Sequence, residues 1–310
     1  QNKHAIIWVK IPSLSANSSI TIYMHYGTTP NPYAEYNDPE QVFMFFDDFE
    51  GDAIDTTKWG NTGGTVTVSN SVLSFYSGAK GTWYSIYSIK TFNEPIVLEM
   101  KFKMDNPNPG ESGHGKNIGL SNYYAEAGSH DFAWFAWSSL AGEYQVQTGN
   151  EGSGVQESSP YSFLDWGIGK IEWIPATSVK YYYNDNLIAE HTSNIPDEAI
   201  SVELLTAGNG YIYVDWVLIR PYVDHEPSVS IGASEIEEVE TTNLDFPDGV
   251  DKILVTIDSD AQEAYYSTDG GQTWNALTLD EEIQLPSTAT QLKLKFSKLT
   301  YFRGYALIGW

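Results

Sequence analysis

Apolar and polar residues alternate with a period of two along most of this chain, and the helical period of 3.6 is nearly absent. The clearest alternating segments are Ser19–His25, Thr65–Phe75, Ile96–Met104, Lys170–Ile174, Val179–Tyr183, Tyr211–Arg220 and Ile253–Ile257. Turn-forming sequences such as Gly208-Asn209-Gly210 separate them. Short strands joined by tight turns are typical of a β-sandwich, so the pattern predicts an all-β protein.

The alternation and the turns divide the chain into four stretches. Residues 1–45 are expected to form a partial β-domain with two strands, Ala5–Lys10 and Ser19–His25. Residues 46–222 form one long β-domain, residues 223–239 an acidic linker, and residues 240–310 a smaller β-sandwich. We expect no helix beyond a short turn at Asp55–Trp59.

The charge balance excludes several classes of partner. The chain of 310 residues has 41 acidic and 16 basic side chains and a formal net charge of −25. Duplex binding needs clustered Lys and Arg, so we expect no nucleic-acid partner. No apolar run is long enough to span a bilayer, and an anionic membrane would repel the chain, so direct membrane insertion is not expected. The absence of cysteine excludes disulfides, thiolate metal sites and a cysteine nucleophile.

Ordered phrases in the middle of the chain carry a resemblance to a known fold family. They begin with Phe45–Gly51 and Ile54–Trp59, continue with Lys170–Trp173 and Val179–Ile188, and close with Tyr213–Arg220. Together they resemble the concanavalin-A-like lectin/glucanase jelly rolls, in particular laminin-G-like domains and laminarinase-type glucanases. The resemblance spans roughly residues 46–222 and implies a lectin-like jelly roll.

The two ends of the chain resemble other families. Trp8–Pro12 with Tyr23–Gly27 looks like the second half of a domain-of-unknown-function family (number 2341), which commonly precedes such jelly rolls in archaeal and bacterial surface proteins. The open strand edges of a half-domain predict an assembly partner or a second copy that completes it. Ser267–Trp274 matches the Asp-box hairpin pattern, in which Asp269 accepts hydrogen bonds from turn amides.

The glucanase resemblance implies where a catalytic strand would lie. Such enzymes place the pattern E-x-D-x-x-E on one strand, and the comparable place here begins at Glu143. The Asp position is then Gln145 and the last Glu position is Thr148. An amide and a hydroxyl cannot serve as the acid/base pair, so Glu143 is only a weak catalytic candidate and we expect the chain not to be an enzyme.

The resemblance also implies a structural calcium ion between the first and last strands of the jelly roll. The matching positions are Asp48, a backbone carbonyl near Asn70 and Ser71, and Asp215. Carboxylate and carbonyl oxygens are the ligands that Ca²⁺ prefers. The alternative is that the two aspartates cap turns or pair with basic side chains.

An aromatic cluster with neighbouring polar side chains indicates a glycan site. Trp134 and Trp137 are three residues apart, so on a regular strand they face opposite ways, and only one of them can face a cleft. The candidate ligand-binding residues are Trp83, Tyr87, Asn122, Tyr123, His130, Trp134 and Trp137. Each single aromatic can equally be a core residue.

These observations favour a glycan-binding or adhesion module of an extracellular, cell-surface or virion-surface protein, with a glycan or cell-surface polysaccharide as its ligand. The half-domain at residues 1–45 supports a second hypothesis, in which the chain is a structural subunit of a surface layer, filament, viral spike or tail fibre. The third hypothesis is that the chain is a laminarinase-type glycan hydrolase. We expect Gln1 to be a processed or truncated terminus.

Overall fold

The computed structural model describes residues 7–11, 13–15, 18–22, 38–105, 108–123, 130–226, 236–259, 261–299 and 302–309. Two compact units divide the chain, Gln1–Asp224 and His225–Trp310. A single short helix, α1 (Pro39–Val42), occurs among the described residues, and Asp38 caps its start by accepting a hydrogen bond from the Glu40 amide. The described part of the chain contains no helix with the length and apolarity required to cross a membrane.

Two antiparallel sheets, A and B, make up the first unit. Sheet A contains β1 (Phe45–Asp47), β3 (Thr65–Ser69), β4 (Val72–Tyr76), β6 (Ile96–Met104), β11 (Gly167–Ile174), β12 (Ser178–Tyr183), β13 (Asn186–His191) and β15 (Ile212–Pro221). Sheet B contains β2 (Trp59–Asn61), β5 (Trp83–Phe92), β7 (Gly115–Ser121), β8 (Phe132–Ser138), β9 (Glu143–Asn150), β10 (Ser153–Ser158) and β14 (Ile200–Ala207). The expected all-β, jelly-roll sandwich is confirmed.

The sheet order shows how the chain winds between the layers. Sheet A runs β13-β12-β11-β6-β15-β4-β3, with β1 also paired to β15, and sheet B runs β10-β9-β8-β7-β14-β5-β2. Strands that are distant in sequence, such as β6 and β15 or β7 and β14, are therefore neighbours in space. The central strands of each sheet therefore pair with strands that are distant in sequence, and this pairing forms only when the whole unit folds.

The core lies between the two sheets and follows the alternation of the strands. Leu98, Met100 and Phe102 on β6 are fully buried, while the residues between them face away from the core. The ring of Phe102 lies 5.3 Å from that of Phe135 on β8, so the two sheets are in direct aromatic contact. Burying each such ring stabilises the unit by about 1.5–3 kcal/mol.

The second unit contains a long strand, Ile283–Leu299, whose two halves pair with different strands. Its strands are β16 (Ile236–Glu240), β17 (Leu244–Ser259), β18 (Glu263–Ser267), β19 (Asn275–Ala276), β20 (Ile283–Leu299) and β21 (Phe302–Gly309). The first half of β20 pairs with β17, and its second half pairs with β16 and β18. Ile253, Leu294 and Phe296 are completely buried in its core.

The hairpin at Asp269 has the local geometry that the sequence predicts. The Asp269 carboxylate accepts hydrogen bonds from the Gln272 and Thr273 amides and from the Ser267 and Thr273 hydroxyls. These hydrogen bonds lower the pKa of Asp269, first among them that from the Thr273 side chain. Membership of an Asp-box family is not shown by this geometry.

Three expected segments differ in the structure. The described parts of the first two predicted strands, Ile7–Lys10 and Ser19–Ile22, are not in strands, and the remainder of both segments lies outside the described residues. Strand β16 begins at Ile236, so the last residues of the predicted linker 223–239 belong to the second unit. The predicted turn at Asp55–Trp59 is present, because the Lys58 and Trp59 amides both donate to the Asp55 carbonyl.

Candidate functional site

The face of sheet B that points away from the core gathers most of the predicted ligand-binding residues. Strand register aligns Trp134 with Gln147 on one side and with Gly119 on the other, and Gly119 with Glu203. Because paired residues point to the same side, one surface runs across six strands, β5, β7, β8, β9, β10 and β14. This outer face of sheet B consists of Trp83, Ser85, Tyr87, Gly115, Asn117, Gly119, Ser121, Phe132, Trp134, Ala136, Ser138, Glu143, Gln145, Gln147, Gly149, Gly154, Gln156, Ser158, Ser201, Glu203, Leu205 and Ala207.

Stacked aromatic rings occupy the middle of this face. The ring of Phe132 lies 4.3 Å from that of Trp134, with only 11° between the planes. Phe132 leans across Gly149 on β9, where an added Cβ would come within 2.4 Å of the ring, so a glycine is required there. Tyr123 packs against the same cluster and lies 4.3 Å from the His130 ring.

A row of hydrogen-bonded polar side chains runs beside the rings along β9. Trp134 Nε1 donates to Gln147 Oε1 over 2.9 Å, Gln147 Nε2 donates to Gln145 Oε1 over 2.7 Å, and Gln145 Nε2 donates to Glu143 Oε1 over 2.7 Å. The row exists because every second residue of β9 points to this face. Each amide nitrogen has a second hydrogen that this row does not use.

Glu203 is a candidate functional residue that the sequence analysis did not identify. It lies on the outer face of sheet B in β14, has no exposed surface, and accepts a hydrogen bond from the Ser85 hydroxyl. Burial raises the pKa of Glu203 to about 8. The signal that could have found it is one acidic residue in an otherwise uncharged strand, Ile200–Ala207.

Five of the seven predicted ligand-binding residues lie at this face or beside it: Trp83, Tyr87, Tyr123, His130 and Trp134. Trp137 is a correction, because it points into the core, where its ring lies 4.9 Å from that of Tyr144. Asn122 is buried, and its side-chain oxygen accepts the Asp131 amide, so this side chain fixes the chain entering β8. Whether any of these residues binds a ligand stays a prediction.

The predicted catalytic strand β9 carries one acidic residue, Glu143, and the other carboxyl group among the residues that define this face belongs to Glu203 on β14. Glu143 and Gln145 lie on the outer face of sheet B, but Thr148 points into the core, 2.7 Å from His191 Nδ1. Counted over three strand spacings and four residues, Glu143 and Glu203 lie about 19 Å apart. Paired catalytic carboxylates stand about 5 to 9.5 Å apart, so these two cannot form such a pair.

The residues predicted to bind calcium do come to one region of sheet A. Strands β1 and β4 both pair with β15, which has a bulge between Val214 and Trp216, and Asp48 directly follows β1 while Ser71 directly precedes β4. Asp215 in that bulge accepts a hydrogen bond from Lys101 Nζ over 2.5 Å. Ser71 Oγ donates to Glu50. Calcium binding stays a prediction.

A comparison with known families supports the resemblance at the start of the chain. The family described as "Domain of unknown function (DUF2341)" matches residues 1–62. The uncharacterized protein MJ1472 of Methanocaldococcus jannaschii is 26% identical over 261 residues, which cover 79% of this chain and 44% of that protein. The chain therefore spans less than half the length of this relative.

Several solved structures have a fold similar to that of the first unit. They include Rv0315, a pseudo β-1,3-glucanase of Mycobacterium tuberculosis (14% identity, TM-score 0.47, 58% of this chain and 99% of that one). The β-glucanase of Bacillus licheniformis gives 13% identity and a TM-score of 0.44 over 57% of this chain and 98% of its own. An endo-acting O-glycanase of human gut microbiota that initiates mucin breakdown has 15% identity and a TM-score of 0.45 over 58% of this chain and 100% of its own.

The expectation that the chain is not an enzyme is wrong on this comparison, because the similar structures include glycoside hydrolases. What the chain shares with them is a β-sandwich fold. Neither activity nor substrate passes from those proteins to this one through the fold alone.

Proposed function

We propose that the chain binds a glycan on the outer face of sheet B, as part of an extracellular or cell-surface protein. The observation that carries the proposal is the stacked pair of Phe132 and Trp134 beside the amide row of Gln145 and Gln147. Aromatic rings pack against the apolar faces of sugar rings, and amides both donate to and accept from hydroxyls.

The charges of the face favour an uncharged glycan. Its charged or ionisable carboxyl groups are those of Glu143 and Glu203, and none of the residues that define this face is a lysine or arginine. Because the whole chain also carries a net charge of −25, an acidic glycan would be repelled. A neutral oligosaccharide carries no charge for these carboxyl groups to repel.

The test is a glycan array with neutral and acidic glycans, followed by calorimetry with Trp134→Ala. The matched control is Trp166→Ala, because Trp166 is an exposed tryptophan near Lys101 and Lys103 and lies outside the outer face of sheet B. Loss of binding in the first variant alone supports the proposal. Binding that survives Trp134→Ala, or absence of binding to every glycan, overturns it. Reducing-sugar release, compared between the wild type and Glu143→Gln, measures hydrolysis in the same samples.

A second candidate function, assembly into a surface structure, has one observation in its favour. The described N-terminal residues expose large apolar side chains, including Ile7, Val9, Ile20 and Ile22, each about half exposed or more. Such a surface suits a second chain that completes the β-segment. Sedimentation velocity at rising concentration, with Ile20→Ser and Ile22→Ser, tests it, and a monomer at every concentration overturns it.

A further inference from the structure

Strand β14 carries one acidic side chain in a fully buried setting. All eight residues of Ile200–Ala207 are buried, and Glu203 is the only charged type among them. Burying a carboxyl group is unfavourable unless its oxygens are paired. The packing of β14 alone therefore does not explain why residue 203 is a glutamate.

The two oxygens of Glu203 have unequal surroundings. Oε1 accepts a hydrogen bond from the Ser85 hydroxyl, whereas Oε2 is buried and makes no hydrogen bond of normal geometry among the described residues. The Ser121 hydroxyl and the Tyr123 amide lie near enough to the carboxyl group to lower its pKa, but less than burial raises it. No described Lys, Arg or His forms an ion pair with Glu203, so no cation compensates a negative charge there. A buried polar atom without a partner is rare in folded proteins, and a functional role is one of the explanations for it.

The neighbours of Glu203 place that oxygen within the proposed glycan surface. On the β5 side its register partner is Tyr87, and on the β7 side it is Gly119, which has no side chain. Tyr123, after β7, is close enough for the Glu203 charge to raise its pKa further beyond the effect of burial. Tyr87 and Tyr123 are the titratable groups that face Glu203, with His130 stacked on Tyr123.

We propose that Glu203 is the polar anchor of this face and that its Oε2 forms a direct hydrogen bond with an oxygen atom of a bound neutral glycan. This inference rests on the proposed glycan binding. Glu203 acts as the uncharged acid: Oε1 accepts from Ser85, and the Oε2 hydroxyl donates to the sugar. Because Glu203 has no exposed surface, binding requires a neighbouring side chain such as Tyr123 to turn aside.

The protonation state gives the proposal a measurable signature. Since burial raises the pKa of Glu203 to about 8, the group is mostly uncharged near neutral pH and loses its donor hydrogen above that value. The affinity for a neutral glycan should therefore fall as the pH rises through about 8. Glu203→Gln keeps the shape and a donor at the same place but does not ionise, so its affinity should not change over this range.

The experiment is calorimetry of the full chain with a soluble β-1,3-glucan oligosaccharide at pH values below and above 8. For the wild type we expect affinity to fall by about tenfold at high pH, for Glu203→Leu a loss of about tenfold at both, and for Glu203→Gln no change with pH. Glu190→Gln on β13 is the matched control and should follow the wild type. If Glu203→Leu does not fold, the comparison of the wild type with Glu203→Gln still decides.

The outcomes separate this inference from the function beneath it. A wild-type affinity that does not change with pH, or a Glu203→Gln variant that follows the wild-type pH profile, overturns the role of Glu203 while glycan binding stands. If the wild type binds neither this oligosaccharide at any pH nor any glycan of the array, the proposed function and this inference are overturned together.

Discussion

Trp134 Nε1 and Gln147 Oε1 lie 2.9 Å apart, and this hydrogen bond joins the stacked rings of the outer face of sheet B to its row of amides. From Gln147 the row continues through Gln145 to the carboxylate of Glu143. Because each donor in the row faces the acceptor of the next residue, the aromatic and polar halves of the surface have one fixed geometry. Removing the hydrogen bond between them should therefore disturb the positions of both the rings and the amides.

The first prediction concerns that link. Gln147→Leu keeps the volume of the side chain but leaves Trp134 Nε1 without its acceptor and Gln145 Oε1 without its donor. We expect about tenfold weaker binding of a neutral glycan, measured by calorimetry, together with a changed tryptophan fluorescence spectrum. Gln291→Leu in the second unit is the control and should leave both unchanged. Unaltered affinity in Gln147→Leu would show that the amide row does not take part.

The sequence predicts which side of a strand each residue faces better than it predicts which residues are candidates for function. The spacing of Trp134 and Trp137 requires opposite faces, and the structure places the first on the outer face of sheet B and the second in the core. The same rule, applied to Glu143 and Thr148, would already have put them on opposite faces. Glu203 was missed because a strand buried on both faces reads as a continuous apolar run, in which one acid attracts no notice.

The N-terminal segment shows where pattern alone is not enough. Alternation at Ser19–His25 favours a strand, but a strand forms only when a neighbour supplies hydrogen bonds, and the described part of this segment has none. The start of β16 inside the predicted linker has the opposite cause. Acidic composition suggested a solvated connection, yet the backbone of Ile236–Glu240 pairs with β20 regardless of its side-chain charges.

A second prediction concerns Lys116, which is fully buried on the core side of β7. Its Nζ donates to the Asn209 carbonyl over 2.6 Å, and burial lowers its pKa from 10.5 to about 8, against an opposing effect of Asp105. The charged form is therefore unfavourable in the fold. We expect Lys116→Met to increase the free energy of unfolding near neutral pH by about 1–3 kcal/mol, measured by urea denaturation.

The pH dependence at Lys116 has a defined sign. Between pH 8 and 10.5 the unfolded chain binds more protons at this residue than the folded chain, so wild-type stability should rise with pH in that window. The advantage of Lys116→Met should shrink over the same range. The control is Lys180→Met on β12, where Lys180 is partly exposed and pairs with Glu190, and this variant should show neither effect. A stability difference that does not depend on pH would contradict the burial argument.

A third prediction concerns the buried His191. Its Nδ1 lies 2.7 Å from Thr148 Oγ1, and burial lowers its pKa below 6.5, although Glu157 acts in the opposite direction. The unfolded chain therefore binds more protons below about pH 6.5, and stability should fall as the pH decreases through that value. In urea denaturation, His191→Gln should lose part of this acid sensitivity, whereas His225→Gln, an exposed histidine, should retain all of it. Equal acid sensitivity in both variants would assign the effect to other groups.

The fourth prediction tests calcium at the bulge of β15. Asp215 lies in the bulge of β15, the strand that pairs with β1 and β4, but Lys101 Nζ already stands 2.5 Å from its carboxylate. Ca²⁺ needs six to eight oxygen ligands and would have to displace that ammonium group, so Lys101→Met should bind Ca²⁺ more tightly than the wild type. We expect calcium to raise the melting temperature of both, more in the variant, and Asp215→Asn to abolish the rise, with Asp185→Asn as the control. If calcium changes the melting temperature of neither the wild type nor Lys101→Met, Asp215 only pairs with Lys101 and the calcium prediction is wrong.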